Sequence, residues 1–155
     1  MIIRPAAEED LPRLASLTRG ALSFASSPDP YTWELPDEDI IEKLRGYLDP
    51  ARGLALVLEV ESSAAGFVAA RFDELDPKRP DRSAVIDLLA VAPEHRGEGF
   101  GTHLIRELML QLPALGVTRM QVDVVGDSDA ALRFWRRTGF TEQFITMARD
   151  LEKPT

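Results

Sequence analysis

Three glycines at alternate positions, Gly97, Gly99 and Gly101, follow a proline and an arginine in the stretch PEHRGEGFGT, residues 93–102. A glycine has no Cβ, so its backbone can approach an anion closely. Amides at the start of a helix have no partner within the helix and carry a partial positive charge. Arg96 adds a planar guanidinium suited to a pair of phosphate oxygens. The chemistry these residues support is anion binding on a strand-to-helix turn. Spacing excludes two familiar phosphate loops. No lysine follows any of these glycines, as a Walker A loop requires. The sixth place of a dinucleotide G-x-G-x-x-G is Thr102 counted from Gly97 and Leu104 counted from Gly99. What remains is Arg-x-x-Gly-x-Gly on Arg96, Gly99 and Gly101.

A second chemical candidate is Asp87, the one charged residue in AVIDLLAV, residues 84–91. A carboxylate here can take a proton; read structurally, it satisfies a loop amide or sits at a solvated strand end. Strand alternation predicts that Asp87 shares a face with Leu89 and Val91. Cysteine is absent, which removes disulfides, a thiol nucleophile and Cys-ligated zinc. His95 and His103 are the only imidazoles, so no metal site is expected. His95 is expected to be exposed in the glycine turn and His103 to serve the helix surface or its packing. Arg133, Arg136 and Arg137 read as a solvated basic face.

The elements that must position these residues follow from periodicity. MIIRPA reads as a first strand, and EEDLPRLASLTRGAL as a helix with Leu11, Leu14 and Leu17 on one face. SFASSPDPYTWELP has three prolines and no period, and reads as a loop. DEDIIEKLRGYL gives a second helix on Ile40, Ile41, Leu44 and Leu48. GLALVLEV and AGFVAARFDEL form a hairpin about ESSAA, and SAVIDLLAVA is an apolar strand of a sheet interior. A helix over 99–112 carries Phe100, Leu104, Leu108 and Leu112. GVTRMQVDVV is a strand, DSDAALRFWRRTG a helix stopped by Gly139, and FTEQFITMARDL a closing strand. The chain is expected to be one α/β domain over residues 1–155, a mixed, mostly antiparallel sheet with helices on both faces. The unit from 84 to 125 should be a parallel, right-handed β-α-β.

LLAVAPEHRGEGFGTHLI resembles the acetyl-CoA-binding motif of the GCN5-related N-acetyltransferases, the GNAT family. IIRPAAEEDLPRL resembles that family's opening, and AALRFWRRTGF its second cofactor motif. The element order is similar over nearly the whole chain. The resemblance implies a single N-acetyltransferase domain in which a parallel strand pair splays apart at the centre of the sheet. It implies that Gly97, Gly99, Gly101 and Thr102, with Arg96, hold the pyrophosphate of acetyl-CoA. The pantetheine arm would lie along Leu89, Ala90 and Val91, and a backbone amide near Val91 would meet the developing oxyanion.

The implied reaction is direct transfer of acetyl from the thioester to a primary amine: a small amine, an amino acid derivative or a peptide. An aliphatic ammonium has a pKa near ~10 and must lose a proton before it can attack. Asp87 stands where many relatives carry a catalytic carboxylate. Relatives commonly have tyrosine where this chain has Trp135; indole is no usable acid, so no residue is assigned that role. Trp135 either packs against the pantetheine end or belongs to the core. Ser128 stands where an asparagine often faces the cofactor, and either substitutes for it or caps the helix. Tyr31, Trp33 and Glu34 fall in a region that walls the acceptor pocket of relatives; aromatics beside a carboxylate suit a cation. Homodimers are frequent in the family.

The totals agree with such a reading. The chain has 155 residues and a net charge of −8, which disfavours nucleic acid and favours cationic partners. No apolar run is long enough to span a bilayer and MIIRPAAEED has no signal-peptide core, so a cytoplasmic location without membrane attachment is expected. The competing expectations are a non-catalytic module that binds CoA or acyl-CoA, and a nucleotide-binding protein.

Overall fold

The computed structural model describes residues 1–20, 35–74, 77–78, 81–124 and 129–154. Strands β2 (Gly53–Val60) and β3 (Ser63–Phe72) form the expected hairpin. Its turn is tighter than ESSAA: Glu61 and Ser62 alone make it, both at positive φ (51° and 63°). That hand matches the twist of a two-residue hairpin even without glycine. β1 (Ile2–Pro5) pairs antiparallel with β2, and β4 (Arg82–Val91) antiparallel with β3. β5 (Val117–Val122) joins β4 in parallel after helix α3 (Phe100–Gln111). The sheet order is β1-β2-β3-β4-β5.

Helices α1 (Leu11–Gly20) and α2 (Asp37–Arg45) cover one face, and α3 and α4 (Asp129–Arg137) the other. On the first face Leu11, Leu14, Ile40 and Leu44 meet Val57 and Phe67. On the second, Leu104, Ile105 and Leu108 meet Leu56, Leu58 and Val68, with Phe134 and Trp135 from α4. All of these are buried, each worth about 1.5–3 kcal/mol of transfer free energy for a large side chain. The mixed sheet between two helical layers is the architecture the sequence implies.

The start of α1 is tied to the sheet by charge. Arg4 on β1 forks onto Asp10 (Nη1–Oδ2 2.7 Å, Nη2–Oδ1 2.8 Å) and donates Nε to Glu59 at 2.8 Å. Asp10 also accepts the Ala7 amide at 2.7 Å. The Arg4 hydrogen bonds, assisted by that amide, hold the Asp10 carboxyl below its usual range despite partial burial.

One expected element does not form. Residues 140–154 contain no strand, so the sheet ends at β5 and its parallel pair lies at one edge instead of the centre. FTEQFITMARDL has strand-forming residues but no single apolar face: Phe140 and Phe144 fall on one parity, Ile145, Met147 and Leu151 on the other. Only Phe140 finds the core, edge-on to Trp135 at 5.1 Å. Phe144 is 91% exposed, and Gln143 reaches Arg119 of β5 only through its side chain, at 3.4 Å.

Candidate active site

The glycine turn begins where β4 ends. The Ala92 amide donates to Ala65 at 2.8 Å, Pro93–His95 make one 3-10 turn, and Arg96 is extended. Gly97 and Gly99 then take φ of 81° and 80°. A Cβ at either would stand in open space, so the left-handed backbone is what calls for glycine, not crowding. Gly101 is different: a Cβ there would come within 3.3 Å of the Phe134 ring and 3.7 Å of Leu89, so it permits close contact among α3, α4 and β4.

Gly99 is the N-cap of α3, and no side chain caps the helix. The first helical bond runs from His103 to Gly99 at 3.1 Å. The amides of Phe100, Gly101 and Thr102 thus precede any helical acceptor and are available to an anion. Arg96 is exposed and, among the described residues, makes no ion pair. His95 stacks on Phe100 at 5.3 Å with Nδ1 3.1 Å from Glu98. His103 is exposed on α3. An uncapped helix behind two left-handed glycines, with an arginine beside them, fits a pyrophosphate.

β4 and β5 stay paired from Arg82–Val117 to Ile86–Val122 and no further, while β3 continues along β4 to Val91. The β5-facing edge of residues 87–91 therefore has no ladder partner among the described residues. β5 ends at Val122, so the ladder stops short of Leu89, Ala90 and Val91, all of them buried.

At the same point β4 carries a bulge. Ala69 pairs with Leu88 and Ala70 with Ile86, leaving Asp87 as the extra residue. The alternation is broken there: Ile86 and Leu89 pack on the α3/α4 face, Leu88 and Ala90 on the α1/α2 face. The expectation that Asp87 shares a face with Leu89 and Val91 is overturned. Its partner is Tyr47, which packs against the α1/α2 core.

Tyr47 belongs to a 3-10 turn, Gly46–Leu48, that follows α2. Its hydroxyl donates to Asp87 Oδ2 at 2.7 Å. Arg71 on β3 places Nε 3.1 Å from Oδ2 and 3.3 Å from Oδ1. The Tyr47 ring lies over Gly53 of β2, where a Cβ would come within 3.4 Å of Cδ1 and 2.6 Å of the Ala70 carbonyl. Burial first, then the charge and hydrogen bond of Asp87, push the Tyr47 phenol pKa far above its ordinary value, against a smaller opposing effect of Arg71. The sequence reading missed both partners. Arg71 sits opposite Val85, diagonal to Asp87, and a hairpin register drawn from the turn could have found it. Nothing in the spacing signals Tyr47.

Trp135 is buried, edge-on to both Phe134 (5.0 Å) and Phe140 (5.1 Å). Ser128, Tyr31, Trp33 and Glu34 lie outside the described residues. Arg136 pairs with Glu142 at 2.6 Å. Among the described residues no group of His, Asp and Glu is placed to hold a metal, and no helix is long and apolar enough to cross a membrane.

Sheet order, the unpaired end of β4 and the glycine-led helix together fit an acetyltransferase fold, and comparisons with known proteins agree. Residues 20–140 match the model of the Acetyltransferase (GNAT) family. An acetyltransferase of Yersinia pestis is 31% identical over 115 residues, 74% of each chain. L-2,4-diaminobutyric acid acetyltransferase of Nocardia farcinica is 35% identical over 80 residues; the match covers 52% of this chain and 39% of that protein. The solved aminoglycoside N-acetyltransferase AAC(6')-Iy in complex with CoA has a TM-score of 0.75 at 17% identity, over 96% of this chain and 93% of that one. The chain belongs to the GNAT family of acetyltransferases.

Proposed function

We propose that this protein transfers the acetyl group of acetyl-CoA to a primary amine. The observation that carries the reading is the pair of left-handed glycines in open space at the uncapped start of α3, next to a β4 edge that β5 leaves free. In this reading the amides of Gly97, Gly99, Gly101 and Thr102, with Arg96, hold the pyrophosphate, and Leu89, Ala90 and Val91 offer their strand edge to the pantetheine amides. Bound acetyl-CoA supplies the activated thioester. The backbone near Val91 donates to the oxygen on which negative charge develops. Asp87 accepts the proton that an ammonium must lose.

The acceptor is a cationic amine, either small or presented by an amino acid derivative or peptide. The net charge of −8 attracts such a molecule. The names of two similar proteins, acting on diaminobutyric acid and on aminoglycosides, point to the same class. Tyr31, Trp33 and Glu34 fall in sequence between α1 and α2, the helices that cover the face of Asp87, and are assigned to acceptor contact. Ser128 is assigned to the cofactor side; Trp135, buried between Phe134 and Phe140, serves the core and not the pantetheine end. The reaction belongs in the cytoplasm, where acetyl-CoA is made and used, and needs no metal.

One feature favours a non-catalytic acyl-CoA-binding module: Trp135, which lacks a usable acid, stands buried in the aromatic cluster. A thiol with pKa near ~8.5 leaves without one, so catalysis does not depend on it. The test is thiol release from acetyl-CoA in the presence of 2,4-diaminobutyrate, an aminoglycoside and a lysine-containing peptide. Amine-dependent release supports the enzyme. Binding of acetyl-CoA with no release for any amine supports the module. Asp87→Asn should slow turnover by about 10²–10⁴ with acetyl-CoA affinity unchanged; equal turnover removes Asp87 from the mechanism.

A further inference from the structure

We infer that Tyr47 is a positioning residue for Asp87: its hydroxyl holds carboxylate Oδ2, Arg71 donates to Oδ1, and the remaining lone pair of Oδ1 is left to receive the acceptor's proton. The inference rests on the acetyltransferase reading and on Asp87 as its base. Four observations carry it. Asp87 is the extra residue of a bulge, a device that re-aims a side chain. Its Oδ2 takes a short bond from the Tyr47 hydroxyl (2.7 Å), with Arg71 Nε 3.1 Å away, whereas Oδ1 accepts the longer hydrogen bond from Arg71 Nε (3.3 Å) and keeps a lone pair for a further donor. Tyr47 is itself fixed, seated over Gly53 where any larger residue would collide with the Ala70 carbonyl. The Asp87 side chain retains 15% exposure, so the site is closed enough to hold one geometry and open enough to return a proton to solvent.

The terminal torsion of an aspartate is broad and two-fold, so an unheld carboxylate samples many orientations. A base contributes only while it stays within hydrogen-bond reach of the proton it takes. Burial and the charge of Asp87 keep the Tyr47 phenol protonated through the physiological range, so Tyr47 donates and never competes as a base. In the step itself an N–H bond of the acceptor ammonium breaks and an O–H bond forms at Oδ1. The charges on the ammonium and the carboxylate are both lost, and the nitrogen keeps its electron pair. Asp87 then passes the proton to water.

The experiment is a double-mutant cycle on the full chain with Tyr47→Phe, Asp87→Asn and the pair, using acetyl-CoA with 2,4-diaminobutyrate and with an aminoglycoside. Phenylalanine keeps the ring over Gly53 and removes only the hydroxyl. The expected result is a kcat lowered roughly tenfold in Tyr47→Phe, with KM for acetyl-CoA unchanged and the melting temperature lowered only by the loss of one hydrogen bond. In the Asp87→Asn background the same change should do nothing more, because residues acting through one group are not additive. Unchanged kcat in Tyr47→Phe, or an equal further loss in the double variant, overturns the inference while leaving the enzyme reading intact. Full turnover in Asp87→Asn removes the base and this inference with it. Absence of thiol release by the wild-type chain with these two amines and with a lysine-containing peptide overturns both readings.

Discussion

Gly97, Gly99 and Gly116 form a matched set within one chain. All three have φ near 80° (81°, 80° and 79°), and at none of them would a Cβ meet another atom within 4 Å. Replacing each by alanine therefore imposes the same perturbation, a left-handed residue with a Cβ, at about 1–2 kcal/mol. For a chain of this size that lowers the melting temperature by roughly 2–8 °C, at ~2–4 °C per kcal/mol. The three variants should be equal in this respect. They should differ in acetyl-CoA binding. Gly116 lies between the end of the α3 segment and β5, away from the turn, whereas a methyl group at Gly97 or Gly99 stands where the anion must approach the amides. Loss of one charge-assisted hydrogen bond is worth about 1.5–3 kcal/mol, so affinity should fall roughly ten- to a hundredfold at 97 and 99 and stay unchanged at 116. Isothermal calorimetry with acetyl-CoA, alongside thermal melts, gives both quantities. Equal affinity for all three variants, or an equal loss at 116, would refute the cradle.

Two further outcomes concern ionisation. The Asp10 carboxyl is held below its usual range, so its contribution to stability is present above the unfolded pKa of ~3.9 and is lost as pH falls through the lower folded value. Urea titrations of Asp10→Asn should show a loss of about 1.5–3 kcal/mol at neutral pH that shrinks toward zero in strong acid; a loss constant with pH would contradict the Arg4 pairing. The Tyr47 phenol, raised above ~10, should remain protonated in the folded chain while an ordinary tyrosine ionises, so absorbance at 295 nm should report fewer than two phenolates near pH 11. Two phenolates in the native protein would contradict the burial.

Much of this architecture could be read from period and punctuation. The Leu11–Leu14–Leu17 and Ile40–Leu44 stripes settle on one face of the sheet and the Leu104–Leu108 stripe on the other, because a helix can bury only one side against a sheet. The glycine turn was legible because a positive φ leaves few choices of residue. FTEQFITMARDL was misread because β-propensity says nothing of whether both faces of a strand can be covered. The orientation of Asp87 was misread because a bulge is a property of a strand pair, invisible in one strand's alternation. Tyr47 reaches Asp87 across 40 residues of chain, and only the folded sheet brings them together.

The extra residue at Asp87 acts on β4 much as a frameshift acts on a reading frame. Upstream, Ile86 faces α3; downstream, Leu88 faces α1, and every residue from there to Val91 inherits the shifted phase. Point changes along β4 each disturb one contact. Deleting Asp87 itself would make Ile86 and Leu88 neighbours that already face opposite sides, restoring strict alternation without moving a core side chain, whereas deleting a residue elsewhere in the strand would exchange the two faces for everything on one side of the deletion. The strand should therefore accept many substitutions but a change of length only at the bulge, and any gap in homologous chains aligned through this segment should fall at Asp87.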